Sequence, residues 1–288
     1  MRPTMSQHNR GESGFLLTTQ LKHGLTKRNF AKAVNDIRDG WARRALWSTM
    51  GLQDIRHRYR RSVIGPFWLT ISMGVMVAAL GLLYGAIFGQ QLDDYLPYVA
   101  SGFVCWGLIS TLILDGTNAF IASEGLIKQL AAPLSVHVYT VVWRTLLIFL
   151  HNVWIYFAVA IWFGKVPGFA ILLVIPAVAI LLLNGVWMGL LLGLLSTRFR
   201  DVPQIVASAV QVTFFLTPVI WRPEMLQGRA LILDLNPFYY LVELIRAPLV
   251  GQIPAFQIMV GAAAITIGGW FLALVFYTTY RWRLAYWV

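Results

Sequence analysis

Uncharged, apolar stretches recur along the chain at about residues 66–89, 96–114, 136–163, 170–196, 203–221 and 255–279, and the segments between them hold nearly all of the charge. A hydrocarbon core of roughly 30 Å takes about 20 apolar residues to cross as a helix. Lipid admits only helices and closed barrels, because every backbone polar group must find a partner within the protein. The runs are continuous rather than alternating every second residue, so the pattern predicts an all-α integral membrane protein with six transmembrane helices. A chain of 288 residues that is 58% hydrophobic and only 12% charged excludes an ordinary soluble domain.

The charges then orient the spans. An even number of crossings puts both termini on one side, and short loops rich in Lys and Arg stay in the cytoplasm. With the N-terminus inside, 18 of the 23 Lys and Arg residues fall in cytoplasmic segments, four in external ones, and Arg144 within a span. Both termini are therefore expected to be cytoplasmic. No apolar run lies near Met1, so the first span is expected to serve as the targeting signal in place of a cleaved one. The lone Cys105 sits in an apolar run, which leaves no disulfide framework and no cysteine metal cluster.

The polar segments carry structure of their own. Trp41, Ala45, Ser48, Leu52, Ile55 and Tyr59 recur at helical spacing, with Arg43, Arg44, Asp54, Arg56, Arg58, Arg60 and Arg61 on the other faces. Residues 41–61 are thus predicted to form an amphipathic helix lying in the membrane interface. Residues 1–40 lack such a pattern and are expected to be a mobile or loosely docked cytoplasmic tail. Between spans two and three, Glu124 and Lys128 form a favourably oriented i, i+4 pair, Leu126, Ile127 and Leu130 supply an apolar side, and Pro133 stops the helix. This short helix either docks a partner or is a plain surface turn. The segment 235–251 is apolar and aromatic yet interrupted by Pro237, Glu243, Arg246 and Pro248, which predicts a re-entrant or surface-lying helical pair. Glycines at four-residue spacing, Gly81, Gly85 and Gly89 in span one and Gly185, Gly189 and Gly193 in span four, predict close helix packing.

Candidate chemistry is sparse. No GxxxxGK[ST] loop occurs, since Gly164-Lys165 is followed by Val166, so ATP hydrolysis by that route is excluded. Asp93 and Asp94 read as a solvated external pair. Arg144 and His151, seven residues apart in span three with Asn152 alongside, read as anchoring or as functional groups. Span five carries Gln204, Ser208, Gln211 and Phe215 on one face. Neutral amides and a hydroxyl suit sugar hydroxyls and an aromatic ring suits a sugar's C–H face; the same groups could equally hold helices together. A secondary transporter would need a midmembrane acid, and the spans have no Asp or Glu. A membrane glycosyltransferase would need clustered acids, and Asp115, Glu124 and Asp201 are scattered.

The stretches RYRRSVIGPFW (58–68), EGLIKQLAAPLSVHVY (124–139), RFRDV (198–202), FFLTPVIW (214–221) and LNPFYYLVELIRAPLVG (235–251) together resemble the Wzm-type permease subunits of ABC-2-type polysaccharide exporters. These are O-antigen exporters and relatives that export galactan, teichoic acid or capsule. The resemblance runs from about residue 41 to the C-terminus. It implies a homodimer of this chain with two copies of a separate ABC ATPase subunit in the bacterial inner membrane, moving a polyprenyl-diphosphate-linked polysaccharide outward among membrane lipids, with no nucleic acid involved. The chain itself would be no enzyme and would bind no cofactor or metal; ATP and Mg would sit on the partner ATPase. Residues 62–288 would form the six-helix ABC-2 transmembrane domain. Residues 119–131 would be the coupling helix, with Glu124, Leu126, Ile127, Lys128 and Gln129 facing the ATPase, and 223–250 the external gate helices. Trp68, Gln204, Ser208, Gln211, Phe214, Phe215 and Trp221 would line the channel. Arg56, Arg58, Arg60 and Arg61 would receive the lipid diphosphate, since arginine suits bidentate phosphate contacts in a way lysine does not.

Overall fold

The computed structural model describes residues 26–60, 67–226 and 231–288, and every regular element among them is helical. Twelve α-helices follow one another among the described residues: α1 Lys27–Ala42, α2 Arg44–Tyr59, α3 Phe67–Ile87, α4 Leu92–Thr117, α5 Glu124–Gln129, α6 Ser135–Trp162, α7 Val174–Arg198, α8 Val202–Leu216, α9 Leu231–Asp234, α10 Pro237–Leu249, α11 Phe256–Tyr280 and α12 Leu284–Trp287. Helices α3, α4, α6, α7 and α11 are long and apolar enough to cross a membrane. The most buried of them is α4, against which α3, α6, α7, α8 and α10 pack.

The expected fifth span takes a different form. At 1.5 Å per residue the 15 residues of α8 reach about 22 Å, short of a hydrocarbon core. The helix stops because Pro218 lacks an N–H and drives the residue before it out of the helical region; Thr217 indeed has ψ 135°. From Thr217 to Trp221 the chain is non-helical, and Thr217 to Ile220 are buried. Their carbonyls are taken up by side chains. The Tyr95 hydroxyl donates to Ile220 O (2.6 Å), and the Tyr98 hydroxyl reaches Pro218 O (3.1 Å) and Trp221 O (3.0 Å). Arg246 also donates to Pro218 O, while Asn236 Nδ2 donates to Leu216 O (3.2 Å) and to Thr217 Oγ1 (3.0 Å). A buried break of this kind is tolerated because protein groups replace the missing helical partners.

The apolar, aromatic segment 235–251 is helical, as expected, and one face of α10 is buried in the bundle: Leu241, Val242, Ile245, Arg246 and Leu249 are almost wholly covered. Arg246, at 1% exposure, lies 4.3 Å over the Tyr98 ring, and its guanidinium is held by Glu243 through a 2.9 Å bond from Nε and a second ion-paired contact.

The glycine ladders pack helices within one chain. A Cβ at Gly116 would come 3.1 Å from Gly189 Cα, so α4 and α7 cross almost backbone to backbone. Gly189 and Gly193 meet Val138 and Phe120, Gly185 meets Leu112, and Gly81 meets Leu96. Gly89 belongs to no ladder. It lies past α3 with φ +60°, where Gln90 N–H bonds Gly85 O at 2.9 Å, a left-handed helix end that favours glycine.

Two expectations for the N-terminal segment are corrected. Residues 27–40 are not loose: they form most of α1, which buries Ala33, Asp36 and Gly40. Asp36 accepts from the backbone N–H groups of Leu134 (3.1 Å) and Ser135 (3.0 Å) at the start of α6, from the Tyr277 hydroxyl (2.7 Å) and from Arg281 (2.6 Å). A carboxylate there satisfies orphan amides and complements the positive end of a long helix. The sequence of α1 does hold an apolar stripe, Phe30, Val34, Ile37 and Trp41 at helical spacing, but Phe30, Val34 and Trp41 stay exposed and the docking face is formed by the small and polar Ala33, Asp36 and Gly40. The expected interface helix, in turn, begins only after a break at Arg43, and its contact with the bundle lies beside the apolar stripe, not on it. Trp41 and Leu52 of that stripe are 60% and 41% exposed. Trp47, Gly51 and Asp54 face α6 instead, because Gly51 lets the two helices touch; a Cβ there would lie 2.9 Å from Trp143 Cδ1.

Replacing Asp36 with alanine leaves the Arg281 charge and two backbone amides without their acceptor, and a broken buried pair of this kind costs about 3–5 kcal/mol. Denaturant unfolding of the detergent-solubilised protein should show D36A destabilised by that order, with D36N losing less because its amide oxygen still accepts.

Candidate translocation face and coupling elements

Helix α8 buries none of its residues completely. Gln204, Ser208, Gln211 and Phe215 all lie exposed along one side of it, flanked by exposed Ile205, Val212 and Leu216. Ser208 satisfies its hydroxyl locally on Gln204 O at 3.1 Å, which leaves the two amide side chains open to an incoming group. Phe214 departs from this set. It turns into the bundle, 5.6 Å from Phe103 and 5.7 Å from Trp106, so its position one residue away puts it on the packed side. Trp221 is half-buried and donates its indole N–H to Phe215 O at 3.0 Å, closing the end of the α8 face where the helix breaks.

Trp68 is 55% exposed at the start of α3, whose outer side presents Phe67, Ile71, Val75, Met76, Leu82, Leu83 and Ile87. Helices α3 and α8 both pack on α4, so two open surfaces flank the same buried helix, one apolar and one amide- and aromatic-bearing.

Arg56 on α2 and Arg60 just past its end are four residues apart on one side, both exposed, and neither enters an ion pair among the described residues. The side chain of Arg58 and all of Arg61 lie outside the described residues, as does the Gly65-Pro66 corner.

The short helix between α4 and α6 forms as expected, over Glu124–Gln129. Lys128 Nζ lies 2.6 Å from Glu124 Oε1, and its hydrogen bond and charge hold the Glu124 carboxyl below the usual carboxylate range. Ile127 is tucked against the core, whereas Leu126 and Leu130 are 40% and 50% exposed and Lys128 and Gln129 point outward. One apolar residue anchors the helix and two are left without a covering neighbour.

Arg144 joins these parts. It pairs with Asp54 on α2 and, at 2.9 Å, with Asp115 on α4, two helical turns of chain before α5. The sequence left it open between anchor and function; the structure makes it the clamp between α2 and α4. His151 is exposed, with Nδ1 2.8 Å from Leu147 O and its ring 6.4 Å from Phe67, while buried Asn152 accepts from Thr70 at 3.4 Å and ties α3 to α6. Asp94, in the first turn of α4, pairs with Lys165 at 2.7 Å, and that contact raises the Lys165 ammonium above its ordinary value.

Asp36, Tyr95, Tyr98 and Asn236 escaped the sequence reading. Tyr95, Tyr98 and Asn236 are polar groups within or beside an apolar run and Asp36 lies among other charges, and neither setting says what the side chain will meet.

The description "ABC-2 type transporter" belongs to a family model that matches residues 45–250. The chain is 24% identical over 209 residues to the O-antigen export system permease protein RfbA of Myxococcus xanthus, covering 72% of this chain and 80% of that protein. It is 23% identical over 187 residues to a protein of the same description from Klebsiella pneumoniae, covering 64% and 72% of the two. The matched region takes in α2, the five helices' worth of bundle from α3 to α8, the short α5 with its uncovered leucines, and α10 with its buried Arg246; this chain belongs to the ABC-2 type transporter family.

Proposed function

We propose that this chain is the channel-forming permease subunit of an ATP-driven exporter that carries a polyprenyl-diphosphate-linked polysaccharide of the O-antigen class across the bacterial inner membrane. The observation that carries the reading is the likeness to O-antigen export permeases across 72% of the chain. Two copies would enclose the path with their α3 and α8 surfaces, which a single chain leaves uncovered. Two ATPase subunits would bind nucleotide and Mg, while this chain would bind no cofactor. Both termini, and α5 with them, would face the cytoplasm.

In this mechanism ATP-driven movement of the ATPase pushes on α5 through Leu126 and Leu130. The Arg144 clamp transmits the push to α2 and α4, and α3 and α8 of the two copies part. The glycan then slides over Gln204, Ser208, Gln211 and Phe215 through weak neutral hydrogen bonds and ring stacking. Each contact is shallow enough to release, as a long processive substrate requires. Trp68 and Trp221 lie at the two ends of the lining, while Phe214 supports Phe215 from behind. Arg56, Arg58, Arg60 and Arg61 would hold the diphosphate as the lipid end arrives.

Losing one neutral hydrogen bond or stacking contact is worth about 1 kcal/mol, so Q211L and F215L should each cut the rate of surface polysaccharide appearance about fivefold or more while the permease still co-purifies with its ATPase. Normal export in both variants would remove the lining role. Burying a leucine is worth about 1.5–3 kcal/mol, so L126D with L130D should weaken ATPase co-purification by roughly tenfold or more. Lysine at all four arginine positions keeps the charge but loses the bidentate fork. Pulse-labelled export should slow in that variant with membrane insertion unchanged; export at the wild-type rate would leave the arginines a topology role alone.

A further inference from the structure

Away from the α3 and α8 surfaces, the elbow between α1 and α2 forms one wall of an apolar groove of about 720 Å³ against α6, α7 and α11. The break at Arg43 places Trp41 and Trp47 side by side, with ring centroids 5.7 Å apart and nearly parallel planes. Tyr139 lies 5.6 Å from Trp41, and Trp143 lies 5.8 Å from Trp47, so four aromatic rings frame the mouth. The Tyr139 hydroxyl is satisfied on Ile37 O at 3.1 Å, so it makes no demand on an occupant. At the mouth stands Arg38, exposed and without an ion pair or hydrogen bond among the described residues.

The groove is deep as well as apolar. It runs along α7 from Val186 to Ala179, which at 1.5 Å per residue lie roughly 18 and 28 Å from the helix end at Arg198. Trp270, near the middle of α11, closes its far side. Among the described residues, Arg38 is the one charged residue along it. One end therefore offers an unpaired guanidinium within an aromatic belt, and the other reaches hydrocarbon depth. Aromatic rings of this kind favour the boundary between headgroups and acyl chains.

The geometry points to a binding site for one anionic phospholipid, its phosphodiester on Arg38 and one acyl chain along the groove past Trp143 to Ala179. An ionised phosphate and a guanidinium form a charge-assisted hydrogen bond, and an acyl chain matches the apolar walls. The lipid would fill the space between the α1–α2 elbow and α6–α7, and so brace α2 through Trp47, on the same face as its Asp54–Arg144 clamp. This site is independent of the channel and of which polysaccharide is carried.

The test uses the full chain, delipidated in a mild non-ionic detergent and titrated with dioleoyl phosphatidylglycerol or dioleoyl phosphatidylcholine, with retained lipid counted by native mass spectrometry. One basic residue at a membrane surface contributes about 1 kcal/mol, so the wild type should retain phosphatidylglycerol about fivefold better than phosphatidylcholine. R38Q should bring the two lipids to parity, and A179W, which fills the deep end, should abolish retention of both. Arg38 and Ala179 are exposed, so neither substitution disturbs the core, and an unchanged thermal midpoint checks this. Equal retention of the two lipids by the wild type, a preference that survives R38Q, or full retention by A179W would each overturn the site.

Discussion

The structure depends on a constraint that acts where α8 ends. A backbone carbonyl in hydrocarbon must be hydrogen-bonded, and the chain from Thr217 to Trp221 has given up its helical partners. Tyr95 and Tyr98 from α4, Asn236 from the turn before α10, and Arg246 from α10 itself supply the donors. These bonds fix the break, and in doing so they fix the elements that donate. The aromatic and cationic side chains of the segment 235–251 are thereby drawn inward, and α10 becomes part of the wall. Arg246 can be buried at this point because three kinds of partner share its charge: a carboxylate, a carbonyl and an aromatic face.

The opposite end of the bundle is organised by charge in the same way. Asp36 binds α1 to the amides that open α6 and to the residues closing α11, and Arg144 binds α2 to α4. Few charges are spent, and each joins elements far apart in sequence. Between the two ends the packing is set by glycines, with α4 and α7 in contact at Gly116 and Gly189. The result is a rigid middle formed by α4, α6 and α7. The surfaces of α3 and α8 carry no such covering, and α5 projects from the C-terminal end of α4. That division is what the proposed mechanism asks for, a push on α5 that reaches the α3 and α8 surfaces through a packed core.

Much of the fold was legible because the membrane imposes a coarse and strong rule. Five of six expected spans are long apolar helices, and the Glu124–Lys128 helix forms with its predicted ion pair. The fifth expected span, 203–221, is a shorter helix than expected, because hydropathy counts apolar residues and does not register that Pro218 ends the helix and that Thr217 to Trp221 continue as non-helical chain. The α8 face of Gln204, Ser208, Gln211 and Phe215 was readable from helical period alone, whereas Phe214 was included for its place in the FFLTPVIW motif and packs inward on Phe103 and Trp106. The contact of α2 with α6 was not legible, since the sequence pattern weighs side-chain apolarity and that contact rests on Gly51, a residue without a side chain.

By itself the sequence determined that the chain lives in a membrane, that it is helical, where most of its crossings run, and that a short helix forms between two of them. Those properties follow from local composition and period, which a bilayer reads one segment at a time. Only the tertiary structure decided which polar groups serve architecture: Asp36, Tyr95, Tyr98, Arg144, Asn236 and Arg246 each answer a backbone or charge partner contributed by another part of the chain. Only it showed that Trp41 and Trp47 meet across a helix break to frame a groove. A polar or aromatic side chain within an apolar run has many ways to be satisfied, and the choice among them is made by distance in space.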